Sequence, residues 1–124
     1  MRALKALREV FERCGYPFEL EEKLRFHAGR TIVEVSEGEG LLLVETSIPL
    51  PSTFSTEGEY VDASEVFKDA MSFYSRLRGR VSYELDLSLP DYPTLRILKV
   101  VESAEELVEG VRSYLKYSGS CLES

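Results

Sequence analysis

The sequence contains no asparagine, no glutamine and no tryptophan, and one histidine among 124 residues. Loss of both thermolabile amides, with ten arginines among the fifteen basic residues, is the composition expected of a protein from a thermophile. No apolar run approaches the ~20 residues that a membrane-spanning helix requires. The opening MRALKALREVFERC mixes Arg, Lys and Glu into its apolar positions, which is not a signal-peptide pattern. The expected location is therefore the cytoplasm. The two cysteines, Cys14 and Cys121, have neither CxxC spacing nor a paired histidine, so no metal site is expected. They leave two readings: a pair of free thiols, the plainer one, or a bridge of the kind thermophile cytosols tolerate.

Charge is abundant and one-sided. Twenty-two acidic against fifteen basic side chains give a net charge of −7. Such a surface repels phosphate backbones and makes nucleic acid a poor partner. The length suits one α+β domain with a core of its own, spanning residues 1–124.

The chain is organised around residues 31–48, TIVEVSEGEGLLLVETSI, two apolar runs about the reversal Glu37-Gly38-Glu39-Gly40. Leu41, Leu42, Leu43 and Val44 are apolar consecutively, so this strand should be central and covered on both faces, by helices or by a partner. Before it, residues 2–13 read as a helix, with Leu4, Leu7, Phe11 and the following Cys14 at helical spacing, ended by Gly15 and Pro17. Residues 18–28 alternate with period two as a half-solvated strand, broken only at Glu22. After it come an irregular loop, residues 49–59, and the capping signature Asp62-Ala63-Ser64-Glu65 of a second helix. Residues 80–89 alternate, and residues 94–101 are apolar on both faces. A second capping box at Ser103 opens the last helix, which Gly119 closes. The expected architecture is α+β: a five-stranded antiparallel sheet with three helices in the order α-βββ-α-ββ-α.

That order, together with small size and acidity, resembles the type III secretion chaperone-like fold over nearly the whole chain, residues 2–117. The resemblance implies a homodimer with the second helix at or near its two-fold interface. It also implies that a protein or peptide segment is held on the sheet and flanking helices, and that the role is non-catalytic.

The second helix supports a dimer independently. Its apolar positions span about 160°, wider than the ~100° that one buried face needs. Val66, Ala70, Phe73 and Leu77 suffice for the sheet, leaving Phe67, Met71 and Tyr74 as a second ridge for a two-fold partner or another helix of the chain. Phe54, with Leu50 and Tyr60 at the ends of the loop, is a candidate contact for a ligand or partner. Arg76, Arg78 and Arg80 suit an anion, although cations at a helix C-terminus also offset its dipole. His27, alone on a polar strand face, reads as a surface residue. Glu84 and Asp86 lie about 7 Å apart on one strand face and read as a solvated pair. No catalytic residue, metal or cofactor is expected. The favoured reading is a homodimeric chaperone-like binding or scaffold protein. The alternative is a small-molecule binder or enzyme with a pocket bordered by the 49–59 loop.

Overall fold

A computed structural model describes residues 2–50, 63–88 and 93–121. Helix α1 (Arg2–Cys14) precedes strands β1 (Phe18–Leu20), β2 (Leu24–Ala28), β3 (Thr31–Gly38) and β4 (Leu41–Pro49). Helix α2 (Ala63–Tyr74), strands β5 (Ser82–Asp86) and β6 (Thr94–Val101), and helix α3 (Ala104–Tyr117) follow. The strands form one antiparallel sheet in the order β1-β2-β3-β4-β6-β5, so β4 is flanked on both sides, as its apolar run requires.

The sheet has six strands, one more than the alternation suggests. Residues 18–28 are a hairpin rather than a single strand, reversing at 21–23, where Glu21 N–H donates to the Lys23 carbonyl at 3.2 Å. Glu22 is the reason. It occupies an inward phase that a carboxylate cannot fill, and the chain turns there instead. The reversal preserves the phase, pairing Phe18 with Phe26 and Leu20 with Leu24 on one face. At the central hairpin the register pairs Gly38 with Leu41, leaving Glu39 and Gly40 as a two-residue loop with φ of 52° and 79°. Positive φ at both positions matches the twist of the flanking strands.

All three helices cover one face of this sheet. Leu4, Leu7 and Phe11 of α1, Phe73 of α2, and Leu107 and Leu115 of α3 are buried with Phe26, Val33, Val44 and Ile97 beneath them. Phe26, Phe73 and Tyr114 stack edge-on in sequence, with ring centroids 5.3 and 5.6 Å apart. Such contacts add to what area burial alone supplies. Both α1 and α3 end in the same hydrogen-bond pattern: Tyr16 N–H reaches Phe11 O and Ser120 N–H reaches Leu115 O, each at 2.9 Å. Ser103 caps α3 by accepting from Glu106 N–H. Asp62, the other expected cap, lies outside the described residues.

Two clamps fix α2. At its start, Asp69 accepts from Arg30 N–H at 2.9 Å, and Arg30 pairs with Glu65. The β2–β3 turn approaches so closely that a Cβ at Gly29 would sit 2.7 Å from the Asp69 side chain. At its end, the chain continues in tight i→i−3 turns to Leu77, whose carbonyl accepts from Lys99 Nζ at 2.7 Å. Lys99 is 2% exposed, and burial lowers its pKa from the ordinary lysine value. Finally, Cys14 and Cys121 are joined as a disulfide, with Cα atoms 5.0 Å apart. The free-thiol reading is thus incorrect: the last turn of α1 and the chain just after α3 converge, which their distance in sequence conceals.

Candidate partner-binding surfaces

Among the described residues, the helices leave the other face of the sheet bare. Register places Glu19, Arg25, Glu34, Glu45 and Leu98 in one row across it. A parallel row, Ser36, Leu43 and Val100, lies on one side, and His27, Ile32 and Arg96 lie on the other. Arg25 Nε bonds Glu34 Oε2 at 2.7 Å, and that carboxylate raises the guanidinium pKa above its usual value. Arg96 sits 4.0 Å from both Glu84 and Asp86. Asp86 is further held by Ser88, whose hydrogen bonds are the main reason its pKa falls below the usual carboxylate value. Glu84 and Asp86 are therefore neighbours of one arginine.

Leu41, Ile32 and Val100 are exposed on this face. The doubly covered strand expected at residues 41–44 is accordingly covered on one face only: Leu42 and Val44 are buried, Leu41 and Leu43 are not. Towards β1 the bare face deepens into a cleft of about 670 Å³, whose lining includes Phe18, Arg25, His27, Ile32, Glu34 and Ser47. Leu50 is not in that lining. It is half-buried and extends the β4–β6 pairing through its N–H to Pro93 O at 2.9 Å. Phe54, Tyr60 and most of the 49–59 loop lie outside the described residues.

A second apolar surface lies on the helix side, at the β5 edge. Tyr83 and Leu85 pair with Ile97 and Leu95, so they point to the helix side, yet they are 53% and 54% exposed because α2 does not extend over β5. Leu87 is equally open. Phe67 and Met71 border them: the Phe67 and Tyr83 ring centroids are 6.2 Å apart, and the Tyr83 hydroxyl lies 3.8 Å from the Met71 sulfur. Tyr74 does not belong to this ridge. It is fully buried against the sheet, its hydroxyl donating towards Val44 O at 3.3 Å and Ile97 O at 3.2 Å. Burial, and then the nearby Glu45 charge, push its phenol pKa up. The sheet-facing stripe of α2 and the turns after it is thus Val66, Ala70, Phe73, Tyr74 and Leu77, one residue broader than a minimal face.

The three arginines after α2 have different surroundings. Arg76 lies 4.3 Å over the Tyr117 ring and bonds Ser113 Oγ at 3.3 Å, bracing α2 against α3, while Arg78 and Arg80 are exposed. Among the described residues, no group of three or more His, Cys, Asp or Glu is placed to hold a metal ion. Among the same residues, no helix is long and apolar enough to cross a membrane.

These features define an α+β protein with a helix-covered antiparallel sheet, one bare sheet face and an apolar edge. Its backbone is similar to that of YbjN from E. coli, described as a candidate transcription regulator: TM-score 0.51 at 16% identity, covering 94% of this chain and 85% of the other. That likeness shows the fold. No protein-family model and no curated protein matches the sequence.

Proposed function

We propose that this chain is a non-catalytic, homodimeric binding protein of chaperone-like type that engages a protein or peptide partner. The observation that carries the reading is the apolar edge: Tyr83, Leu85 and Leu87 stand open beside half-buried Phe67 and Met71. Soluble monomers seldom expose such a contiguous patch, and a two-fold contact covers it with its own copy. The interface is thereby moved from the helix alone to α2 together with β5. The bare sheet face remains available to a partner. The candidate regulatory role attached to YbjN is compatible with this reading, and it bears on it only through the shared fold.

Light scattering at micromolar concentration should give twice the chain mass, and Met71→Glu or Tyr83→Glu should give monomers that keep the wild-type circular dichroism. A monomeric wild type, or a dimer indifferent to both charges, would exclude this interface. A second reading, a small-molecule binder, is favoured by the cleft of about 670 Å³ beside β1, which is of ligand size. Saturation by a small molecule that shifts only cleft resonances would select it.

A further inference from the structure

The centre of the bare face holds a local conflict. Glu34 and Glu45 are directly opposite on β3 and β4. Like charges in that relation repel, because facing Cβ atoms are only about 5 Å apart. Glu34 is compensated by Arg25. Glu45 is not: its other cross-strand neighbour is Leu98, and among the described residues its side chain has no hydrogen bond or ion pair. Arg96, two residues along β6, is turned towards Glu84 and Asp86 on the far strand. A half-buried carboxylate therefore stands uncompensated on the central strand. Aliphatic side chains flank it on both sides, Leu43 and Val100 along one row and Ile32 along the other.

We propose that this surface docks a polypeptide segment carrying a lysine or arginine between aliphatic residues, the cation seating at Glu45 and Glu34 and the aliphatics on Leu43, Val100 and Ile32. This rests on the binding-protein reading and names the chemistry of its partner. Charge complementarity selects the occupant. The strand residues of this face carry five carboxylates (Glu19, Glu34, Glu45, Glu84, Asp86) against two guanidiniums (Arg25, Arg96). A second copy would set this surplus against itself, and a phosphate backbone would be repelled by it. A cationic segment removes the Glu34–Glu45 repulsion and gains a charge-assisted hydrogen bond. The free protein then carries a destabilising pair that only binding relieves.

That yields opposite signs for stability and binding. Glu45→Gln should raise the melting temperature of the free protein and weaken binding. The probe is the peptide Gly-Ser-Leu-Ser-Lys-Ser-Leu-Ser-Gly, titrated to millimolar concentration against ¹⁵N-labelled protein, with Lys→Gln and Lys→Glu analogues. The Lys peptide should shift the amides of Glu34, Glu45 and Leu43, and Glu45→Gln should weaken it about tenfold or more, as should the Gln analogue. Equal binding of the Lys and Gln peptides at the bare face would overturn the cation site while leaving the binding-protein reading standing. Peptide-induced shifts confined to Tyr83 and Leu85 would overturn it in favour of the apolar edge. A lower melting temperature for Glu45→Gln, or a change in its self-association, would overturn it too, by showing that the carboxylate already has a structural partner or serves a self-contact. If no peptide shifts any resonance, this proposal and the partner-binding reading fall together.

Discussion

Reducing or removing the Cys14–Cys121 bridge should lower the melting temperature by about 8–19 °C, the span that a loss of about 2–5 kcal/mol gives for a chain this size. The bridge links residues 107 apart, almost the whole chain, so it constrains the unfolded ensemble nearly as much as any single bridge could. Chain-entropy reasoning gives about 4.8 kcal/mol at 25 °C for such a loop, and observed contributions are usually about 2–4 kcal/mol. At about 2.1 cal/mol/K per residue, 124 residues unfold with an entropy of about 0.26 kcal/mol/K, which sets the temperature shift quoted. Against a total stability of about 5–15 kcal/mol the bridge is a large term.

The native side of the comparison is mild. Cys121 is held by its own N–H on Leu115 O at 3.2 Å, and α1 and α3 pack against each other. Alanine at both positions should therefore leave the fold intact. The assay is a calorimetric or dichroism melt of wild type with and without a phosphine reductant, and of the Cys14→Ala, Cys121→Ala double variant without it. Reduced wild type and the double variant should coincide. A shift below about 2 °C, or two alkylatable thiols in the folded, unreduced protein, would refute the reasoning.

Three further outcomes are expected. Oxidised wild type should melt above the ~45–65 °C of mesophile domains, as the amide-free composition requires; a midpoint inside that range would remove the thermophile reading. Gly110→Ala should destabilise by about 1 kcal/mol in denaturant titration, because the added Cβ would clash with Leu77 Cδ2 and meet Arg76 O at 3.1 Å; overpacking of about 1–3 kcal/mol outweighs the ~1 kcal/mol gain in helix propensity. Tyr74 keeps its proton in the folded state above the pH at which the unfolded chain loses it, so its contribution is intact below about pH 10 and declines above it by about 1.4 kcal/mol per pH unit; Tyr74→Phe should flatten that alkaline loss by one proton.

The α+β class, the three helices and the flanked position of β4 were legible because each rests on a local period that tertiary context did not override, whereas the sixth strand and the sheet-facing Tyr74 were not read. Glu22 marked the β1–β2 turn in the sequence as the single break in an otherwise regular alternation; a break in phase is as informative as the period itself, since a carboxylate at an inward position must either find a partner or reverse the chain. Lys99 and the disulfide were not legible. A lysine among Ile97, Leu98, Val100 and Val101 reads as an outward residue, and only the arrival of the Leu77 carbonyl above it makes an inward position tolerable. Likewise nothing near Cys14 in sequence announces that the end of α3 returns beside it.

The run Leu41–Val44 bears most directly on function. Four consecutive apolar residues demand cover on two faces, and the helices of this chain supply one. The second demand is carried instead by residues whose partners are missing from the described fold: Leu41, Leu43 and Val100 without apolar cover, and Glu45 without a cation. Selection for stability alone has an easy remedy, since a threonine or lysine at these positions would suit a solvated strand face at least as well. Retaining aliphatics and a repelling carboxylate on the most central strand is understandable if something beyond the described residues completes the face. The same reasoning sets the apolar edge apart. Tyr83 and Leu85 carry no opposing charge conflict between them, so a second copy can cover that edge without penalty, whereas the bare face would repel its own copy. The two surfaces are therefore suited to different occupants, and a dimer formed through α2 and β5 would leave both bare faces open.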